Sequence, residues 1–300
     1  MRKIIIAGAN GFLGRYLTRH FHAKGWEVVG MARREKGLDP NCRYVHWDGK
    51  TLGDWAGEFD GAEAVINLAG RSVNCRHTKR NKRQIMDSRV DSTKVIGAAI
   101  AACEHPPGVW LNASTAAIYR TLKKGPQGEG GQLDEGHAVE VVKAWEGAFF
   151  GAEVPGGVRK VALRTSLVMA KEPGTVYAYL LKLAKLFLGG PAGGGKQMVS
   201  WIHIEDYCRA VEFLLESPQI RGGINITAPE PLTNKEMMRR FRKLAKRPFG
   251  FPAAVWMTEI GAFFLSTETD LILKSQWVVP KRLEQNGFEF HYPEMEPWEW

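Results

Sequence analysis

The stretch ASTAAIYRTLK, residues 113–123, carries a hydroxyl at Ser114, a phenol at Tyr119 and an ammonium at Lys123. Three such groups can form a proton-transfer set. The hydroxyl orients a substrate oxygen, the phenol exchanges a proton, and a neighbouring cation lowers the phenol's pKa. Ser114 and Tyr119 are therefore the candidate catalytic residues. The set requires tyrosine and lysine one turn apart on a helix. Here the glycine-rich run KKGPQGEGG follows Tyr119 almost at once and leaves little helix to hold the pair.

A second constellation is His203 and Asp206 in SWIHIED. A histidine near a carboxylate can do acid–base work. The alternative is a strand-end histidine beside an aspartate that caps a helix. His137, at the start of the helix expected over 137–152, is open to the same two readings. Cys42, Cys75, Cys103 and Cys208 stand singly, with no Cys-x-x-Cys and no metal-ligand spacing. No metal site is expected, and four free thiols suit a reducing cytosol.

The segment GANGFLG places Gly8, Gly11 and Gly14 at three-residue spacing around Asn10, Phe12 and Leu13. It lies between a short apolar run, KIIIA, and a segment with helical apolar spacing, which is the context a dinucleotide turn requires. Gly8 permits the tight turn, Gly11 lets backbone approach a pyrophosphate, and Gly14 lets helix pack on strand. The helix N-terminus then offers N–H groups and a positive dipole end to the phosphates. A purely structural turn is the competing reading. The second strand ends MARRE, so Arg33 and Arg34 stand where NAD sites usually carry an acid for the ribose hydroxyls. A guanidinium suits a 2′-phosphate by charge and by its fork of donors, so NADP(H) is favoured over NAD(H).

The elements that must hold these groups follow from apolar runs. KIIIA, EVVGMA, RYVHW, AVINLAG, VWLNAS and KVALRTS read as buried strands, with helices over 79–103 and about 137–152 among them. Buried strands alternating with helices argue an α/β fold, a doubly wound parallel sheet of the Rossmann kind. After residue 166 the grammar changes to a glycine loop, GGPAGGGKQ, and shorter elements. This predicts a nucleotide-binding domain over 1–166 and a smaller C-terminal lobe over 167–300. The helix at 206–216 is expected to pack back on the first domain.

Composition narrows the function classes. No apolar run reaches the roughly 18 residues that span a bilayer, so no membrane partner is expected. The opening Met1-Arg2-Lys3 and IIIA is broken by Gly8, Asn10 and Gly11 before an export signal forms, and a cytoplasmic protein is expected. The net charge of +9 gathers in CRHTKRNKRQ and RRFRKLAKR. No nucleic-acid-binding motif accompanies it, so solvated helix faces or an anionic ligand are the readings kept.

Together these features resemble the extended branch of the short-chain dehydrogenase/reductase superfamily. NLAG at 67–70, SR at 88–89, WE at 145–146, GGPAGGGKQMVSWIHIEDY and SQWVVPKRLEQNGFEFHYP are similar to one subgroup in particular. That subgroup is the epimerase-like family of nucleoside-diphosphate-sugar epimerases and cell-division-inhibitor homologues. The resemblance covers essentially the whole chain. It implies cofactor contacts from the Gly8–Gly14 loop and Arg33, from Leu68 and Ala69 (with Gly70 beside them) near the adenosine, and from Gln84 and Arg89. It also implies Leu167 near the nicotinamide and Asp48 near the adenine. The superfamily's Tyr and Lys, anchored on Trp145-Glu146, would fall on Ala138 and Val142, and neither side chain can serve. The Tyr119–Lys123 spelling is then an accident. Two functions remain: an NADP(H)-dependent reductase or epimerase of a small, polar or nucleotide-linked molecule, and a cofactor-binding regulatory or scaffold protein without chemistry.

Overall fold

The computed structural model describes residues 1–121, 125–252, 274–296 and 298; Lys123 lies outside them. The chain opens with β1 (Lys3–Ala7), α1 (Phe12–Ala23), β2 (Glu27–Ala32), β3 (Arg43–His46) and β4 (Ala64–Asn67). There follow α2 (Lys79–Ala101), β5 (Val109–Thr115), α3 (His137–Phe150), β6 (Arg159–Thr165), β7 (Leu167–Met169) and α4 (Val176–Lys185). Then come β8 (Met198–Val199), β9 (Trp201–His203), α5 (Ile204–Glu216) and β10 (Gly222–Ile226). The last described elements are β11 (Leu232–Thr233), α6 (Asn234–Leu244) and α7 (Lys281–Gln285).

Among the described residues the central sheet has seven strands, in the order β10-β6-β5-β4-β1-β2-β3. Every pairing in it is parallel. The order reverses between β1 and β4, which makes a doubly wound Rossmann sheet with its crevice at the carboxyl ends of those two strands. The central strands β1 and β4 read as short apolar runs because both faces are covered. Ile4 and Ile6 join one core with α1 and α5, while Ile5 and Ala7 join another. In β5, Leu111 belongs to the first core and Trp110 to the second, packed on Phe149 of α3 at 4.6 Å. This is the period-two alternation of a strand.

The chain beyond residue 166 returns to this sheet. β10 is its edge strand, and Tyr207, Val211 and Leu214 of α5 lie in the core that holds Leu17 and Phe21 of α1. A separate cluster gathers Trp201, Met237 and Phe241 with the buried side of α4. Thr233 caps α6 by accepting from the Glu236 N–H at 3.2 Å. Among the described residues no helix is long and apolar enough to cross a membrane.

Candidate dinucleotide site and its buried polar network

The glycine turn is a cradle with no room for side chains. Gly8 has φ +80°, and a Cβ there would lie 3.0 Å from the Leu68 carbonyl carbon. A Cβ at Gly14 would lie 2.5 Å from Gly8 O and 2.6 Å from the Ala9 Cα, closer than real contacts allow. The Gly8 N–H donates to Met31 O at 2.9 Å, which ties the turn to β2. Gly11 then opens α1 with no side-chain cap and no acid in the first turn. The terminal N–H groups at Phe12, Leu13 and Gly14 lack acceptors within the helix and stand at its positive dipole end, an arrangement that suits an anion.

At the end of β2, Arg33 and Arg34 are both exposed, and neither has an ion-pair partner among the described residues. Asn10 Nδ2 donates to Arg34 O at 3.4 Å, joining this corner to the glycine turn. Asp48 stands just past β3. Its Oδ1 accepts from the N–H groups of Lys50 and Thr51, both at 2.8 Å. These backbone bonds pull its pKa down to about 2 and commit that oxygen to a local turn.

The end of β4 is set by side-chain amides. Asn67 Nδ2 donates to Asn112 Oδ1 at 2.8 Å, and Asn67 Oδ1 accepts from the Ala69 N–H at 3.0 Å. Leu68, Ala69 and Gly70 are thus held beside the Gly8 turn. A Cβ at Gly70 would meet the Arg89 guanidinium carbon at 3.3 Å, so the arginine packs directly on this backbone. Arg89 donates to Arg71 O and Ile85 O, both at 3.0 Å, and lies 5.1 Å from the Trp145 ring centroid. Desolvation pulls its pKa down to about 10, and no described acid pairs with it. Gln84 is half-buried on the same helix, one turn before Ser88. Leu167 lies beyond β6, its N–H donating to Ser200 O at 3.3 Å.

The proton-transfer candidates belong to a buried network. Ser114 donates to Glu146 Oε1 at 2.6 Å. Glu146 accepts two bonds from Arg164, from Nε at 2.9 Å and Nη2 at 2.8 Å. Arg164 Nη1 donates to the Tyr119 hydroxyl, which donates to Asn225 Oδ1, both at 2.8 Å. Tyr119 is 2% exposed, and burial raises its pKa. Its backbone is extended (φ −82°, ψ 145°) and bridges to Leu133, so Tyr119 itself lies in no helix. The superfamily lysine place, Val142, is buried beside Tyr119 in an apolar cluster, while Ala138 is exposed on α3.

The residue after Ser114 was missed by sequence reasoning. Thr115 is half-buried at the end of β5, and its Oγ1 accepts from the Ala117 N–H at 3.2 Å. Its hydroxyl proton has no described acceptor, whereas that of Ser114 goes to Glu146. Strand alternation is the signal that could have separated the two.

The second constellation resolves as structural, with His203 ending β9 as expected and the cap at His203 rather than Asp206. His203 is the cap of α5, its Nδ1 accepting from the Glu205 N–H at 3.3 Å. It is stacked 3.7 Å from Tyr292, and burial pulls its pKa down to about 4. Asp206, expected as the cap, lies inside the first turn. It accepts from Arg209 at 2.8 Å and from the N–H groups of His291 and Tyr292 at 2.9 and 2.7 Å. It therefore fastens the C-terminal segment. His137 begins α3, its Nδ1 3.9 Å from Glu140. Among the described residues no group of three or more His, Cys, Asp or Glu side chains could hold a metal ion.

Parallel sheet, reversal point and glycine cradle define a Rossmann-type α/β protein. The chain belongs to the NAD dependent epimerase/dehydratase family, whose model matches residues 4–226; a domain of unknown function (DUF1731) matches residues 256–297. It is 31% identical over 302 residues to the epimerase family protein YfhF of Bacillus subtilis, covering 98% of this chain and 95% of that one. The crystal structure of human epimerase family protein SDR39U1 (isoform 2) with NADPH superposes with a TM-score of 0.86 at 27% identity, covering 98% and 97% of the two chains. A nucleoside-diphosphate sugar epimerase from Corynebacterium glutamicum gives a TM-score of 0.77 at 27% identity, over 98% of this chain and 56% of that one.

Proposed function

We propose that this chain binds NADP(H) across the carboxyl edge of the sheet. We infer that it is an epimerase-like oxidoreductase for a small polar or nucleotide-linked substrate, working without a Tyr-x-x-x-Lys pair. The observation that carries this reading is the glycine cradle, with side chains excluded at Gly8 and Gly14 and two arginines without acid partners at the end of β2. The human relative's structure with NADPH supports the same cofactor. The bound dinucleotide would supply or accept a hydride at its nicotinamide ring. The turn from Gly8 to Gly14 would hold the pyrophosphate, and Arg33 and Arg34 the 2′-phosphate. Leu68, Ala69, Gly70 and Asp48 would flank the adenosine. Gln84 and Arg89 would contact the cofactor from α2, and Leu167 would lie near the nicotinamide. Thr115 would orient the substrate oxygen, because its proton is uncommitted, and Ser114 would act through Glu146 as a positioning residue.

Arg33→Ala should weaken NADPH by about 1.5–3 kcal/mol, the worth of a charge-assisted bond to phosphate. NADH, which lacks that phosphate, should bind the variant as it binds the native protein. Calorimetric titration of both cofactors measures this. Equal native affinities for NADPH and NADH would overturn the assignment.

One observation favours the second reading, a cofactor-binding regulatory or scaffold protein: the Tyr119 hydroxyl proton is committed to Asn225 and its oxygen accepts from Arg164. Tyr119→Phe leaves two buried polar groups short of a partner, and should cost about 1–3 kcal/mol of stability. Cofactor affinity should stay unchanged. Thermal unfolding and NADPH titration read the two effects separately. If turnover is found and collapses in this variant at an unchanged unfolding midpoint, the phenol is the proton donor after all.

A further inference from the structure

Arg15 follows the last glycine of the turn. Its N–H donates to Gly11 O and closes the first turn of α1. Helical side chains lean toward the N-terminus, and the Arg15 guanidinium does so. Its Nη1 donates to Asn10 O, within the glycine turn, at 3.0 Å. Nη2 pairs with Glu172, which lies beyond β7 on the approach to α4. The two side chains are 24% and 23% exposed, so a ligand at the helix end can reach them. The same carboxylate is felt by Tyr16: burial first, and then Glu172, push that phenol above its ordinary value. The backbone of Glu172 is held from behind, since the Thr175 N–H donates to Glu172 O at 3.2 Å. A guanidinium has five donors, and these two bonds use two of them.

The consequence is a charge arrangement beside the terminal N–H groups of α1. One cation and one anion stand at the place where the cradle would receive phosphates. We propose that Arg15 is a contact for the dinucleotide pyrophosphate, and that Glu172 competes with the phosphates for it. The proposal rests on the dinucleotide-binding reading and adds to it a residue pair that sets affinity without setting cofactor choice. Both NADPH and NADH carry the pyrophosphate, so Arg15 acts on both equally. Arg33 and Arg34, in contrast, face the group that only NADPH has. Glu172 places a negative charge near a dianionic linkage and weakens binding of either cofactor.

A clasp that merely joined α1 to the 170–175 segment would behave differently, and two variants separate the cases. Arg15→Gln and Glu172→Gln remove the same ion pair, so without cofactor their unfolding midpoints should fall together. With cofactor they should diverge. Arg15→Gln should weaken NADPH and NADH by the same factor, about ten- to a hundredfold, as expected for a lost charge-assisted phosphate bond. Glu172→Gln should tighten both by several-fold and steepen the fall of affinity with salt, since Arg15 then answers to phosphate alone. Should Arg15→Gln fail to fold, Arg15→Lys keeps the charge and should retain much of the affinity, while Glu172→Gln carries the opposite-sign arm. If both variants weaken binding alike, the pair is a structural clasp and the proposal falls. It falls also if Arg15→Gln affects NADPH alone. A native protein that binds neither cofactor would overturn the dinucleotide reading itself, an outcome visible before any variant is made.

Discussion

Gly14→Ala should nearly abolish dinucleotide binding, although it adds a single methyl group. The added Cβ would lie 2.5 Å from Gly8 O and 2.6 Å from the Ala9 Cα. Both neighbours are backbone, so neither can turn aside as a flexible side chain would. Helix α1 must move off β1, or the Gly8 turn must open. Either change shifts the terminal N–H groups that face the phosphates. A displacement of about 1 Å at a site built on fixed donors costs on the order of a hundredfold. The strain should also cost about 1–3 kcal/mol of stability. Calorimetric titration of NADPH, with thermal unfolding on the same samples, tests both effects. Gly147→Ala is the matched control. Gly147 lies on the exposed side of α3, with nothing within 4 Å of its added Cβ. There alanine should stabilise by about 0.5–1 kcal/mol through helix propensity and leave affinity untouched. Native affinity in Gly14→Ala would mean that the turn does not form the phosphate cradle.

The cradle was legible because its signal is local. Three glycines between a buried strand and a helix specify a backbone path, and that path needs only neighbours in sequence. The parallel sheet was legible for a related reason: β1 and β4 are buried on both faces and so read as short apolar runs. The network around Ser114 was not. Its members come from β5, α3, β6, β10 and the loop before Leu133, and Tyr119 and Asn225 are 106 residues apart. The side chain of Ser114 was read as orienting a substrate; in the fold its hydroxyl donates to Glu146 of α3. Alternation sets the face that Ser114 takes, but only the register of β5 against β6, which pairs it with Arg164, decides what it meets there. Likewise the cap fell on His203 rather than Asp206, because a cap is decided by the exact helix boundary, which spacing does not fix. Arg15 escaped notice for a different reason. An arginine on an amphipathic helix is ordinary until its partner, 157 residues away, is known.

Glu146→Ala should be the most destabilising single replacement in this network, costing about 3–5 kcal/mol. Its carboxylate is 11% exposed and the Arg164 guanidinium 13%, with Nη2 and Oε2 at 2.8 Å. Removing the acid leaves a buried guanidinium without its counter-charge and takes the acceptor from Ser114. The loss should show as a lower midpoint in urea without a change in slope. The complementary replacement argues the cause. Arg164→Met and Glu146→Leu together remove both charges and refill the space, which for buried pairs is often neutral or stabilising. Ser114 then gives up its bond to the carboxylate and Tyr119 loses the Arg164 donor, but Tyr119 keeps its donation to Asn225. The double variant should therefore be more stable than either single one, with a coupling energy of about 0.5–3 kcal/mol. Cofactor binding separates architecture from chemistry. The network joins the ends of β5, β6 and β10 and includes no residue of the glycine turn after β1, so any of these variants that folds should bind NADPH with native affinity. A folded Glu146→Ala protein that had lost NADPH would place the carboxylate in the cofactor site, and the division between cradle and scaffold would have to be redrawn.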